Sequence, residues 1–466
     1  AMEPERSDEL MRQARTWAVW GAVIAAVALS GCADSASPRP ARTPSPRLEA
    51  AGPPCQLVDW APWRNADTTC LEVVLDAVSP PEAAPALMGL ALGPDGTLYL
   101  ARTAEGAIWA MDDADDDQFL DGPRLVAEGL TYPTSLTVHE GALYVASVGG
   151  LLRLDPAADG RFAAPVVLVP NLLDAERGFW PGSVQVGPDE RLYVSLGAGC
   201  VWCNAAEVAP GMLVSYALDG SDRRVEATGL RDPWDFAWHP VTGDLWIVDS
   251  GRVVSGTLVG GPPDELNRVT PGADFGFPRC AGDRQPDPVL PPEKADGCAD
   301  TESPAFTFPA QSSPGGIVFY DREGFPFWQG DLIVVLRGSS TLAEPAGYAL
   351  AVVGFGDDGQ PDGTTALISP ASEHRRFQLT LAAFSLMRMG FYPYHPVDVV
   401  LSEEGWLYVS VQEGRIFRVR PRPAAGARHQ FEPLVAPVGH LQPVPRVDGH
   451  RHHVVGRGEG LLVFPD

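Results

Sequence analysis

Positive charge is what this chain has least of. Its 466 residues set 34 Lys and Arg against 60 Asp and Glu, a formal net charge of −26. Such a field repels phosphate backbones and anionic lipid surfaces, which excludes nucleic-acid binding and suits a soluble body that takes cations or neutral ligands. Long apolar runs are scarce too. One stands out, "TWAVWGAVIAAVALSGC" behind Arg12 and Arg15, too short and wrongly flanked for a membrane span but right for the apolar core of a secretory signal. The "CVWC" of Cys200 and Cys203 lacks the histidine that a c-type haem needs next, because Asn204 stands there. It also lacks a surrounding βαβ pattern of the thioredoxin kind, which favours a structural disulfide over a redox pair.

What is present begins with an address. "LSGC", Leu29 to Cys32, resembles the bacterial lipobox, small residues before a thiol that carries lipid; an ordinary signal peptide with an incidental cysteine is the alternative. The expected layout is a lipoprotein signal over 1–32 with Cys32 lipidated, then a Pro-rich tether and N-terminal cysteine segment over 33–69. The mature protein would then hang by a lipid anchor in the bacterial cell envelope, on the periplasmic or outer-surface side. Setting Cys32 aside leaves six cysteines in an oxidising compartment. Proximity suggests Cys55–Cys70, Cys200–Cys203 and Cys280–Cys298, although six cysteines admit many other pairings.

One phrase recurs: a Gly- or Asp-containing turn, an alternating apolar strand, another turn and another strand. It appears as "GPDGTLYLARTAEGAIWAM", "HEGALYVASVGGLLRL", "GPDERLYVSLGAG", "HPVTGDLWIVDSG", "FWQGDLIVVLRGS" and "SEEGWLYVSVQEGRIFRVRP". Turns at Gly96, Gly141, Glu190 and Gly243 are roughly 45 to 53 residues apart, near a propeller-blade period. With 49 Gly and 46 Pro, the composition favours turns over long helices. Such a sheet cannot bury both faces alone, whereas six stacked radially can. The expected fold is all-β, a six-bladed β-propeller over 70–421, with "CLEVVLDAVSP" from Cys70 supplying the outer strand of the last blade. Residues 422–466 form a Pro- and His-containing tail whose "HRHH", His450 to His453, reads as an exposed loop.

At "GLRDPWDFAWHPVTGDLWIVDSG…DELNRVTPGADFGFPRC", Gly229 to Cys280, the sequence resembles the glucose/sorbosone dehydrogenase family, in its L-sorbosone dehydrogenase-like branch. "SPGGIVFYDREGFPFWQGDL" and "HPVDVVLSEEGWLYVS" extend the likeness. The resemblance implies a six-bladed propeller that oxidises sugars with pyrroloquinoline quinone and calcium, passing electrons to a periplasmic acceptor. Such chemistry needs a base for the hydroxyl proton, a cation near the quinone oxygen and positive charge for the cofactor's carboxylates.

By the same resemblance, the family's base histidine falls at Phe179, which accepts no proton. Losing a general base costs roughly 10²- to 10⁴-fold in rate, so turnover is impaired unless another group substitutes. Arg231 of "GLRDP" matches the arginine that polarises the quinone, or else it caps strand-end carbonyls or pairs with Asp235. Asp232 stands where an Asn is usual and either weakens that arginine or replaces the base. Arg337 in "VVLRGSS" falls near a cofactor-contacting His or Lys, and His395 of "YHPVD" replaces an arginine and is, with Asp232, the other candidate for the missing base; solvated-loop and turn readings compete for Arg337 and His395 respectively. Trp180 and Trp234 would stack a sugar or quinone, or pack between blades. Asp264 and Glu265 of "PPDELN" are expected to shape a turn.

Two metal sites come into question. "DDADDDQFLDG" places Asp113, Asp115 and Asp117 at alternate positions, as a calcium loop does, but Gln118 and the missing twelfth-position Glu rule out an EF-hand. A catalytic calcium near Gly251 is implied by the resemblance, although Arg252 intrudes there with a positive charge. Three functions are weighed: a membrane-tethered quinone-dependent sugar dehydrogenase, a non-catalytic envelope propeller that binds a glycan or protein, and a calcium-dependent lactonase. The last needs a ring of inward Asp, Glu and Asn ligands at the axis, which the strand ends do not clearly supply.

Overall fold

The computed structural model describes residues 69–76, 87–115, 117–172, 181–199, 208–252, 261–288, 290–338, 347–368 and 395–421. Cys32, Cys55, Phe179, Trp180, Cys200, Cys203 and the tail from 422 lie outside these described residues.

Among the described residues the strands form six four- or five-stranded sheets, antiparallel throughout except for one short added strand, and a separate two-stranded pair, Cys280–Ala281 with Gln285–Pro286. Their innermost strands are Leu87–Leu92, Pro133–His139, Pro181–Val186, Pro233–Trp238, Pro314–Phe319 and Pro396–Leu401, which define blades 1 to 6. Each inner strand contacts its two neighbours and the first touches the last, so the six-bladed ring closes. Alternation explains how two faces are buried at once. In blade 5, Leu332, Val334 and Leu336 pack toward blade 4 while Ile333 and Val335 pack toward blade 6. Comparable apolar layers fill the other seams.

Thr69–Asp76 pairs antiparallel with Arg415–Pro421 and completes blade 6 from the opposite end of the chain. Glu72 in that strand is buried against two buried guanidiniums, 2.9 Å from Arg418 Nε and 2.7 Å from Arg420 Nη2. Arg418 is sandwiched between the Trp406 and Phe119 rings at 4.7 and 4.8 Å, and donates to the Gln118 carbonyl. The acidic loop of blade 1 is thereby tied to the closing strand.

Blade 4 carries a long excursion after its third strand. Its Ala273–Asp274 adds in parallel to the outer strand of blade 3, Arg224–Leu230. Cys280 and Cys298 in this excursion are joined by a disulfide, the pairing expected from their proximity, and Cys70 is also disulfide-bonded.

Candidate functional site at one end of the ring

Inner strands begin, and second strands end, at the same face of a propeller blade. Arg231 and Asp232 precede the inner strand of blade 4, Gly251 follows its second strand Leu245–Asp249, Arg337 follows the second strand of blade 5, Leu332–Leu336, and His395 precedes the inner strand of blade 6. These residues therefore share one rim.

The approach to Arg231 is held by backbone geometry. Gly229 has φ +75°, and a Cβ there would come within 2.4 Å of the Gly276 nitrogen. The N–H groups of Arg231 and Asp232 donate to the buried Asp249 carboxylate at 2.9 and 2.7 Å. Asp249 lies opposite Glu265 in the sheet; burial first, and then Glu265, pushes its carboxyl well above the usual range. Arg231 itself is 3% exposed, and its Nη1 donates to the carbonyls of Ser250 and Gly251 at 3.1 and 2.9 Å. Of the alternatives weighed for it, carbonyl capping is the one the structure shows.

Arg337 lies with its guanidinium carbon 4.1 Å from the Trp234 ring centroid. Gly315 makes room for it, since a Cβ there would sit 3.1 Å from Arg337 Cγ and 2.5 Å from the Val397 carbonyl oxygen. Asp232 interacts electrostatically with both arginines: burial raises its carboxyl above the usual range, and Arg231 and Arg337 offset only part of that rise. No hydrogen-bond donor among the described residues sits on that carboxylate. His395, on the same rim, has partners of its own. Its Nδ1 is 2.8 Å from Glu413 Oε1, its N–H donates to the same carboxylate, and its ring lies 5.2 Å from that of Tyr348.

Two sequence expectations are corrected. Asp264 and Glu265 shape no turn; they open a strand, Asp264–Val269, and are buried. Asp264 accepts from the Gly251 N–H at 2.8 Å, from the Ser313 N–H at 2.7 Å and from the Ser312 hydroxyl at 3.1 Å, so it pins blade 4 to blade 5. Arg252 does not intrude on the rim: it is buried, pairs with Asp287 at 2.8 Å and lies over the Phe277 ring. Asp113, Asp115 and Asp117 do converge, with ligand oxygens all within 4.8 Å, but their loop joins the third and fourth strands of blade 1 and so lies at the opposite end from Arg231.

The comparisons with known proteins agree with this geometry. Residues 214–343 match the family model described as Glucose / Sorbosone dehydrogenase, and residues 380–419 match the one described as Strictosidine synthase-like, N-terminal. The aldose sugar dehydrogenase YliI of Escherichia coli (strain K12) is 28% identical over 116 residues, 25% of this chain and 29% of that protein. The chain spans 37% and 29% of the lengths of the two curated relatives it matches. Among solved structures, the Trichoderma reesei AA12 carbohydrate-active enzyme superposes with a TM-score of 0.62 at 17% identity, covering 78% of this chain and 98% of that one. The pyrroloquinoline-quinone domain of a Coprinopsis cinerea pyranose dehydrogenase, in its holo form, gives 0.60 at 17% identity, over 80% and 99%. The quinone-bound aldose sugar dehydrogenase of Streptomyces coelicolor gives 0.51 at 15% identity, over 77% and 100%. The fold is thus a six-bladed propeller of the type seen in quinone-dependent sugar dehydrogenases. The matches support the glucose/sorbosone dehydrogenase family for this chain, with residues 214–343 carrying the family match.

Proposed function

We propose that the chain is a sugar or sugar-aldehyde dehydrogenase of the cell envelope, tethered through Cys32 and delivering electrons to a periplasmic acceptor. The observation that carries this reading is Asp232, a buried carboxylate with no donor on it among the described residues, set on the rim within reach of two guanidiniums. An anionic planar quinone requires cations and a flat surface. Arg337 stacked on Trp234 offers both, and Arg231 adds a second charge. When bound, such a quinone would supply the hydride acceptor. Asp232 would take the hydroxyl proton in place of a histidine, its carboxyl raised by burial toward the range of a general base while Arg231 and Arg337 partly offset that rise.

Calcium does not fit at Gly251. Its carbonyl oxygen already accepts from the Arg231 guanidinium, and its N–H is held by Asp264. A divalent cation on that oxygen would face a fixed positive charge, so no step is assigned to calcium.

The test is a dye-coupled oxidation screen of aldoses and aldehydes with the quinone-loaded protein and its Asp232→Asn variant. The reading requires turnover that falls roughly 10²-fold or more in the variant. Turnover equal in both would remove Asp232 from the chemistry. A second reading, a non-catalytic propeller that binds a glycan or a protein, gains support from the Arg231 Nη1 donor already held by two carbonyls; it would be favoured by absence of turnover with every substrate.

A further inference from the structure

The six inner strands share a device away from the rim. Each has a register shift a few residues from its start, between Leu87 and Leu90, Pro133 and Ser135, Pro181 and Val184, Pro233 and Phe236, Pro314 and Ile317, and Pro396 and Asp398. A bulge interrupts the ladder and leaves a backbone group without its strand partner. In blades 3, 5 and 1 the N–H just past the bulge turns to the preceding blade. Val184 donates to Ser135 Oγ at 3.2 Å, Ile317 to Asp235 Oδ2 at 2.8 Å, and Leu90 to Asp398 Oδ2 at 2.8 Å.

The acceptors thus come from blades 2, 4 and 6 alone, while the matching positions in blades 3, 5 and 1 are small: Ser183, Gly316 and Gly89. A Cβ on Gly316 would lie 2.2 Å from Asp398 Oδ1, and one on Gly89 would lie 2.8 Å from the Ser135 Cα. Hydrogen bonds and close contacts together run unbroken around the axis, blade to blade.

Two members of this girdle are carboxylates inside one cavity. The axial cavity measures about 260 Å³ and is lined by all six inner strands; Asp235 and Asp398 are its titratable lining groups, and no described lining residue is cationic. The polar remainder of the wall is neutral: Ser135, Thr137, Ser183 and Gln185. The two acids are not equivalent. Asp235 is filled with donors, from the Ile317 N–H, from Gln185 Nε2 at 2.9 Å and from the Ser183 hydroxyl. Asp398 accepts only from the backbone N–H groups of Leu90 and Val399 among the described residues.

We propose that Asp235 and Asp398 hold one proton between them in the axial cavity, seated on Asp398, and that this proton relieves the repulsion between the two acceptors that join blade 4 to blade 5 and blade 6 to blade 1. Two ionised carboxylates lining one cavity, with no described cation beside them, would repel each other. Consistent with the geometry, burial first, and then the Asp235 charge, pushes Asp398 up to about 8. The folded chain keeps a proton there that the unfolded chain has released, so this stability is lost progressively as pH rises from about 4 to about 8 and changes no further above it. Asp398 is also the acceptor that ties the last blade to the first, so its deprotonation acts at the junction where the ring closes.

The experiment is thermal unfolding of the whole chain from pH 5 to pH 10, in EDTA and in calcium, for wild type, Asp398→Asn and Asp235→Asn. Asn at 398 mimics the protonated acid. The expected result is a wild-type midpoint that falls by several degrees between pH 5 and pH 8 and levels off above, an Asp398→Asn profile flatter over the same range, and an Asp235→Asn protein less stable than both at pH 7. In parallel, amide exchange in the wild type, corrected for intrinsic base catalysis, should show a step in protection near pH 8 at Leu90 and Val399, which donate to Asp398, but not at Val184, whose acceptor is a hydroxyl. A fall between pH 5 and pH 8 shared unchanged by Asp398→Asn, or the same step at Val184, would overturn the proposal. So would a fall abolished by calcium, which would show that a bound cation neutralises the pair.

Discussion

Arg337 and Trp234 come from neighbouring blades and meet face on, the guanidinium carbon 4.1 Å from the ring centroid. Stacking fixes the plane of the cation and keeps it at the rim, where a planar anion would be received. Arg337→Ala should therefore weaken quinone binding by roughly tenfold or more, the scale of a lost charge-assisted hydrogen bond. Arg337→Lys should recover only part of it, because an ammonium does not stack in that way. Equilibrium titration of both variants checks this.

The Glu72 carboxylate is expected to govern acid stability. Burial raises it, but the bond to Arg420 and the charges of Arg418 and Arg420 outweigh that and hold it below its ordinary value. Its stabilisation is present above pH about 4.5 and is lost as pH falls through the depressed folded value. Glu72→Ala leaves two buried guanidiniums without their carboxylate and should cost roughly 3–5 kcal/mol, read by urea unfolding at pH 7.

At the rim the sign is reversed. Burial pushes Glu265 up to about 7 and Asp264 up to about 6. The folded chain keeps protons there that the unfolded chain has released, so stability from these groups falls as pH rises from about 4.5 to 7. Glu265→Gln should flatten that slope. Unfolding free energies at pH 5 and pH 7 for the variant and wild type decide it.

Asp249 should act as a clamp on the loop that carries Arg231 and Asp232, since it accepts both of their N–H groups. Asp249→Ala is expected to lower quinone affinity without touching the ligand, and to raise amide exchange at positions 231 and 232. Loss of affinity with unchanged exchange would contradict the clamp.

The ring was legible in the sequence because its signal is local. Alternation within "LIVVL" or "LYVSV" assigns faces residue by residue, and repeated turns assign the strands to blades. The rim was partly legible for the same reason, since Arg231 and Arg337 each flank a recognisable strand. What stayed hidden lies across seams. Asp264 meets Ser312 and Ser313 across 48 and 49 positions, Arg252 meets Asp287 across 35, and Arg418 meets Glu72 across 346. Periodicity says which way a side chain points and is silent on its partner, so Asp264 read as a turn residue and Arg252 as a free charge. Asp398 escaped notice, and Asp235 read only as a partner for Arg231, because each sits alone in an apolar strand and the bulges bring them to one axial cavity.

Quinone binding itself is the most direct test of the functional account. Full-length protein titrated with pyrroloquinoline quinone, followed by tryptophan quenching in calcium and in EDTA, should show saturable micromolar binding that is equal in both buffers and lost in Arg337→Ala. Absence of saturable quenching at every calcium concentration would contradict the account and turn attention to glycan and protein ligands.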